Sequence, residues 1–412
     1  MSGGLDSSVA AALLKRAGSD VIGVFMKFWS EPEKDGLVGA SNRCCSPEAE
    51  VRARKVAKIL KIPFYVLNFE KEFKKRIVDY FLKEHKGGKT PNPCVVCNKE
   101  IKFGLLLERA LKLDADFVAT GHYARKNELT TNNLQPTTYK LLGAKDRNKD
   151  QSYFLWMLNQ DQLKRILFPI GNYTRKEVKN LAKKFKLPVL KARKSVEICF
   201  IKKTIHPVKS RFAGISSKTK LFNGVNDFLK KYLKENPGPV VEPRRRTSSL
   251  RGRQVHYGVK KIIGEHRGLW FYTIGQRKGI KLPGGPYWVL DKDLNKNLLI
   301  VTKNEKDLYQ KELICKNVNW ISGKEPNLPL KIKAKIRYRH QLASATLDYN
   351  PKSKVYSLKF QKPQRAITPG QSVVFYLPAV ASAKAGKGEE RGARRRREGG
   401  GGVVVLGGGI IS

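Results

Sequence analysis

Hydrophobic and polar positions follow two regimes along this chain. Over residues 1 to about 205, apolar runs of strand length are separated by longer amphipathic stretches of helical period. Ser7 to Ala17 (SSVAAALLKRA) reads as a helix closed by Gly18, and Val21 to Met26 as a strand. Ser46-Pro47 opens a second helix, with serine at the N-cap and proline at the first helical position. Phe64 to Phe69 and Phe117 to Thr120 are further strands. This alternation implies an α/β fold, a parallel sheet with helices on both faces. Tyr123 to Arg125 and Tyr139 to Leu142 flank the polar loop TTNNLQPTT as a hairpin, and Thr174-Arg-Lys-Glu177 is a capping box ahead of another helix.

From about residue 206 the regime changes. Two basic stretches, KKTIHPVKSRFAGISSKTK and EPRRRTSSLRGRQ, read as solvated insertions around a short helix, Asn226 to Leu233. From Trp270 onward short strand-like runs dominate: Tyr287 to Leu290, Leu298 to Val301, Ile332 to Tyr338, Val355 to Phe360 and Val373 to Tyr376. They predict an all-β module, a small barrel. Residues 379 to 402 are low in complexity and read as disordered, after which VVVLGGGIIS supplies a last strand.

Charge adds the first functional hint. The 82 Lys and Arg residues against 35 Asp and Glu give a formal net charge of +47. Such an excess attracts polyanions, nucleic acid above all, but carries no sequence specificity. No apolar window is long enough to span a membrane, so no membrane partner is expected. Six cysteines in 412 residues are too few for a disulfide scaffold and fit a reducing, cytoplasmic setting.

Two constellations carry chemistry. In the first, Ser2-Gly3-Gly4-Leu5-Asp6-Ser7-Ser8 stands directly before a helix. Adjacent glycines let backbone approach an anion, and hydroxyls and N–H groups at a helix start bind it. Asp6 suits a Mg²⁺ contact beside the same phosphates. S-G-G-x-D-S-S is the pyrophosphate loop of enzymes that cleave ATP to AMP, distinct from the Walker loop. A buried strand ordinarily precedes such a loop. Met1 stands inside it, so the expectation is that this strand is missing from the chain as given and that ATP binding is weakened. Ala119-Thr-Gly121-His122-Tyr follows a strand, where the glycine permits close approach to a nucleotide.

The second constellation is cysteine-based. Cys94 and Cys97 lie in T-P-N-P-C-V-V-C-N-K-E-I-K-F, and Cys199 lies in S-V-E-I-C-F. Cys97 opens the lysine-containing run Asn98 to Lys102, where a helix start and nearby cations favour a thiolate. Three cysteines equally suit a metal or an iron–sulfur cluster, with a fourth ligand open or supplied by Cys44 or Cys45. A single C-x-x-C does not choose between these.

The pyrophosphate loop, ATGHY, TPNPCVVCNKEIKF, KDQSYF, EICFI and GEHRGLWFYTIGQRKG occur here in that order, followed by IRYRHQ, TPGQSVVFY and LGGGIIS. Together they resemble the tRNA-specific 2-thiouridylases, which place sulfur at C2 of the wobble uridine of certain tRNAs. Only the stretches near 206–220 and 242–258 and the segment 379–402 fall outside the resemblance. It implies an N-terminal adenine-nucleotide hydrolase-like (Rossmann-like) catalytic domain over 1–205, a small central tRNA-binding domain over 206–294, and a C-terminal β-barrel over 295–412. It implies ATP-dependent adenylation of the uridine C2 oxygen and sulfur delivery from a cysteine persulfide. Cys97 then matches the family nucleophile, and Cys199 the persulfide carrier that forms a disulfide with Cys97. Met26 and Gly121 match nucleotide contacts. Asn92, Pro93 and Cys94 match the segment facing the target base. Lys149, Asp150, Gln151, His122, Arg337, Tyr338 and Gln371 match tRNA contacts. Many members have aspartate where this chain has Cys94, an acid/base candidate whose charge a thiol does not reproduce. The implied partners are tRNA and a sulfur-donor protein, a cysteine desulfurase or sulfur relay, with the enzyme a monomer. Two alternatives stand beside this reading: an iron–sulfur-dependent tRNA thiolase, and a non-catalytic tRNA-binding relic.

Overall fold

A computed structural model describes residues 1–31, 45–129, 137–190, 198–201, 205–206, 220–221, 224–243, 246–247, 256–257, 260–378 and 402–412. Most of the loop TTNNLQPTT, most of both basic stretches, residues 379–401 and Cys44 lie outside the described residues.

The N-terminal part alternates as its sequence pattern requires. Helix α1 (Leu5–Arg16) leads to strand β1 (Gly23–Lys27), helix α2 (Pro47–Leu60) and strand β2 (Phe64–Asn68). Ser46 caps α2 by accepting a hydrogen bond from the Ala49 N–H, and Pro47 sits where no donor is needed. β1 and β2 pair in parallel, as do β3 (Val118–Ala119) and β6 (Ile166–Leu167). Between them run α3 (Glu70–Phe73), α4 (Asp79–Lys86), α5 (Pro93–Cys97) and α6 (Leu106–Leu111). Two wide, π-helical turns interrupt these helices, Lys74–Val78 and Asn98–Leu105. Gly104 marks the second: a Cβ there would lie 2.8 Å from the Lys99 carbonyl oxygen five residues back. α7 (Gln160–Lys164) and α8 (Arg175–Lys184) follow, each opened by a complete capping box, Asn159 with Gln162 and Thr174 with Glu177.

β4 (Ala124–Leu129) and β5 (Thr138–Gly143) form the expected antiparallel hairpin. Its neighbour was not legible in the sequence. β5 pairs with β20 (Val403–Ile411), so the hairpin extends a sheet built by the far C-terminal part.

The basic stretches differ from their reading as unpaired insertions. β7 (Ile205–His206) pairs with β8 (Lys220–Leu221). The second stretch begins inside β9 (Gly238–Pro243), and its β10 (Arg246–Thr247) pairs with β11 (His256–Tyr257). Runs of arginine hide strand character because the alternation of apolar with polar residues is lost. α9 (Gly224–Tyr232) precedes a central sheet in the order β12-β9-β14-β13, completed by β12 (Lys260–His266), β13 (Trp288–Asp293) and β14 (Leu298–Thr302). The β13–β14 hairpin turns at residues 294–297, so hydrogen bonding carries Leu298–Thr302 with the central sheet. The remaining strands are β15 (Tyr309–Trp320), β16 (Leu330–Lys335), β17 (Ala343–Asn350), β18 (Val355–Arg365), β19 (Ser372–Pro378) and β20. Their order is β15-β18-β17-β16-β19-β20, and β20 pairs back onto β15, closing a six-stranded barrel.

Two cores tie these parts together. One joins N-terminal Phe25, Phe73, Phe81, Cys97 and Phe200 to central Phe228, Leu269, Val289 and Leu299. The other joins Val95, Phe103, Tyr153 and Trp156 to barrel residues Ile321, Val374, Tyr376 and Val405. The helical run from Pro93 to Leu111 therefore lies between them, with Val95 and Phe103 in one core and Cys97 and Ile101 in the other.

A buried histidine sits at the junction of the N-terminal and central parts. His85, at the end of α4, is 4% exposed, and its Nδ1 lies 3.3 Å from the Trp270 carbonyl. Burial first, and the nearby Lys292 ammonium second, push it down to about 4. The unfolded chain takes up this proton near pH 6.5 and the folded chain does not. Stability attributable to His85 is thus intact above pH 6.5 and lost as pH falls toward 4. Denaturant titrations at pH 7 and pH 5 should show a loss of about 2 kcal/mol from this group. A His85→Gln variant should start less stable and lose less across the same interval. An equal loss in both proteins would remove His85 as the cause.

Candidate active site

The Ser2–Ser8 loop is shaped by close contacts. Gly3 has φ +63°, and a Cβ there would lie 2.1 Å from the Ala49 carbonyl oxygen of α2, so only glycine fits. The Arg52 Nε donates to the Gly3 carbonyl at 3.2 Å. Ser8 Oγ donates to the Gly4 carbonyl at 2.8 Å, inside the first turn of α1. Ser2 and Ser7 hydroxyls lie 3.2 Å apart, with Ser2 exposed. Gly121, just past β3, meets the loop directly: a Cβ on it would lie 2.6 Å from the Asp6 carbonyl carbon and the Ser7 nitrogen. The structure thus brings Ser2, Gly3, Gly4, Asp6, Ser7, Ser8 and Gly121 to one place, at the start of α1.

Two residues join this group that the sequence reading had not assigned to it. The Tyr123 hydroxyl donates to Asp6 Oδ1 at 2.9 Å, and the Arg175 guanidinium forms an ion pair with the same oxygen. Burial and the neighbouring Asp6 push the Tyr123 phenol up, though its bond from Arg175 opposes them, so it stays protonated and donates. Arg175 is the first residue of α8, inside the Thr174–Glu177 capping box. A signal existed: helix dipoles favour acidic side chains in the first turn, and an arginine there asks for another role.

Helix α5 begins at Pro93, with Asn92 as its N-cap. This corrects the expectation that Cys97 opens the helix. Proline fits the first helical position, so the helix starts one turn earlier and Cys94 occupies its first turn. Cys97 is buried at the end of α5, where the π-helical turn begins. Helix-start electrostatics therefore reach Cys94 rather than Cys97. Cys199 is half-buried and packs against the core that contains Cys97 and Phe200, as do Met26 and Trp29. Among the described residues no three His, Cys, Asp or Glu side chains are grouped to hold a metal.

The segment ahead of α5 is tied to the barrel. Thr90 N donates to the Pro369 carbonyl at 2.9 Å, and Gln371 Nε2 donates to the Thr90 carbonyl at 2.8 Å. Gly370 has φ +88° and packs so closely on Lys89 and Thr90 that a Cβ would lie 2.9 Å from the Lys89 Cβ. The Tyr153 hydroxyl donates to the Ser372 carbonyl at 2.8 Å. On the same side Asn98, next to Cys97, donates its amide to the Phe154 carbonyl at 3.0 Å, and Tyr338 packs on the Phe154 ring at 4.4 Å.

The residues matched to tRNA contacts thus fall into different situations. Asp150 accepts from the Ala144 and Ser152 N–H groups and holds the turn that contains Lys149. Gln151 Oε1 accepts from Tyr123 N at 3.0 Å. His122 Nδ1 lies 2.8 Å from Thr120 Oγ1, and burial, then Lys102, push it well below its ordinary value, so it is neutral. Arg337 is engaged between domains. Its Nη2 donates to the Ile274 and Ala366 carbonyls, each at 3.3 Å, and to Thr368 Oγ1.

Residues 1–203 match the tRNA methyl transferase HUP domain, 226–303 the tRNA methyl transferase PRC-barrel domain, and 310–380 the aminomethyltransferase beta-barrel domain. A tRNA-specific 2-thiouridylase MnmA 2 of Thermoanaerobacter sp. (strain X514) is 42% identical over 379 residues, which cover 91% of this chain and 93% of the relative. The tRNA-specific 2-thiouridylase MnmA of Alkaliphilus oremlandii is 40% identical, over 91% of this chain and 92% of its own. That of Moorella thermoacetica is 41% identical, over 91% and 94%. With identity at this level along nearly the whole chain, and with the pyrophosphate loop and the cysteine helix in place, the chain belongs to the tRNA-specific 2-thiouridylase family.

Proposed function

We propose that this protein converts the wobble uridine of tRNA to 2-thiouridine, consuming ATP and releasing AMP and pyrophosphate. One observation carries the reading. The pyrophosphate loop abuts α2 through Gly3 and Ala49, and Ala49 belongs to the same core as Cys97, against which Cys199 packs. An anion cradle and two thiols therefore border a single core.

In this reading the uridine C2 oxygen attacks the α-phosphorus of ATP. The bond from that phosphorus to the bridging oxygen breaks, and pyrophosphate leaves with the electron pair while the uridine N3 proton is released. The adenylated oxygen is then a good leaving group. A persulfide on Cys199, loaded by a sulfur-donor protein, attacks C2 and AMP departs. The Cys97 thiolate next attacks the Cys199 sulfur, leaving the outer sulfur on C2 and a Cys97–Cys199 disulfide, which a cellular thiol reduces. Asp6 is the residue that would hold Mg²⁺, which neutralises phosphate charge when bound. Burial of Cys97 excludes water that would return the activated base to uridine. The sequence carries +47 of net charge for the tRNA backbone, and among the described residues no helix is long and apolar enough to cross a membrane. We place the enzyme in the cytoplasm, acting as a monomer.

Mass spectrometry of tRNA nucleosides after incubation with ATP and a sulfur donor tests the activity. Cys97→Ser and Cys199→Ser should abolish 2-thiouridine while leaving adenylation of tRNA, read as tRNA-dependent pyrophosphate release. Cys94→Asp should retain thiolation, because it restores a common family residue. If Cys94→Asp behaves as Cys97→Ser does, the two cysteines act as a pair and the nucleophile assignment is wrong.

Gly121→Ala should weaken ATP binding by about 5- to 150-fold, since its Cβ displaces the Asp6–Ser7 backbone at a cost of about 1–3 kcal/mol. Unchanged ATP affinity would move the nucleotide away from this loop. Affinity for tRNA should fall by roughly 10³ to 10⁵ between 50 and 200 mM salt if about 6–10 phosphates are contacted. A flat salt profile would count against a footprint of that size.

A further inference from the structure

The Arg175 side chain is placed where one of its donors is left unsatisfied. It opens α8, where the helix dipole repels a cation. Its backbone is fixed from both sides: the Arg175 N–H donates to Asp146 Oδ2 at 2.9 Å, and the Thr174 hydroxyl accepts from the Glu177 N–H at 3.3 Å. The guanidinium reaches the pyrophosphate loop through Nη1 alone, pairing with Asp6 and lying 3.4 Å from the Tyr123 hydroxyl. Its Nε is buried and has no hydrogen-bond partner. A buried donor left unsatisfied is expensive, and here it belongs to the fork that binds phosphate oxygens in pairs.

Resting on the ATP-dependent reading above, we propose that Arg175 is a catalytic residue that binds the pyrophosphate end of ATP and stabilises pyrophosphate as it leaves. Asp6 would hold a Mg²⁺ that neutralises phosphate charge, and the Arg175 guanidinium would then turn from Asp6 to the phosphates. Phosphate oxygens of the β and γ groups would then satisfy the idle Nε together with Nη2, the neighbouring donor on the same edge of the guanidinium. Negative charge accumulates on pyrophosphate as the bond to the α-phosphorus breaks, and a fixed cation at that point favours the transition state more than bound ATP. The Asp6–Arg175 pair holds both groups beside the pyrophosphate loop.

The test is isothermal titration of the full chain with inorganic pyrophosphate and, separately, AMP, both with Mg²⁺ present. Arg175→Gln should bind pyrophosphate about 10- to 100-fold more weakly than the unaltered protein, with AMP affinity unchanged. Arg175→Lys, which keeps charge but loses the fork, should fall between them. In tRNA-dependent AMP formation the Gln variant should lose kcat more than it raises KM for ATP. Equal loss of AMP and pyrophosphate binding, with a lowered melting temperature in both variants, would reduce Arg175 to a structural partner of Asp6. Pyrophosphate binding identical in all three proteins would overturn the proposal and leave the ATP reading standing. If the unaltered protein binds neither ATP nor pyrophosphate, both readings fall together.

Discussion

The segment from Lys89 to Asn92 is hydrogen-bonded to a barrel made far later in the chain, and the placement of the cysteine helix follows from that. Main-chain and side-chain bonds to Pro369 and Gln371 fix Thr90. The Tyr153 hydroxyl locks on Ser372, and burial pushes the phenol up against the opposing pull of a bond to Asn92. Helix α5 starts immediately afterwards and is wedged between two cores. A helix buried on both faces has little freedom to rotate, because one face cannot move outward without the other moving into packed atoms. The position of Cys97 is thus determined jointly by all three domains.

The same economy of position explains why residues matched to tRNA contacts are also interdomain ties. Arg337 spans the central part and the barrel through carbonyls on both. Gln371 joins the barrel to the segment preceding the cysteines. In the proposed reaction a nucleic acid that engaged these side chains would exchange one set of hydrogen bonds for another. Backbone carbonyls accept from Arg337 because a half-buried guanidinium must be satisfied from somewhere.

Local elements were largely legible, since their signals are local. Ser46-Pro47, the Thr174–Glu177 box and the apolar runs of the barrel strands each specify their own conformation. The glycines of the Ser2–Ser8 loop announced an anion site because few other roles need adjacent glycines before a helix. What escaped reading depends on contacts between distant residues. Nothing in Leu141 or Leu142 says that they pair with Val405 and Val404. Nothing in Thr-Arg-Lys-Glu beyond a misplaced cation says that Arg175 turns toward Asp6. The start of α5 was placed a turn late because the lysines after Cys97 drew more weight than the proline before Cys94. The short strands inside the arginine-rich stretches were lost because charge conceals the two-residue period.

β20 has a consequence for how the protein comes into being. Its first residues complete the sheet that β4 and β5 begin, and its last residues seal the barrel against β15. During synthesis the hairpin emerges early and waits, its outer edge unpaired, until nearly all the remaining chain has been translated. Until then no barrel exists to fix Thr90, and the thiols have no assembled pocket in which to work. Vectorial synthesis therefore withholds the assembled centre from unfinished chains: a ribosome-bound fragment carries the nucleotide loop and both cysteines without the frame that makes them act together.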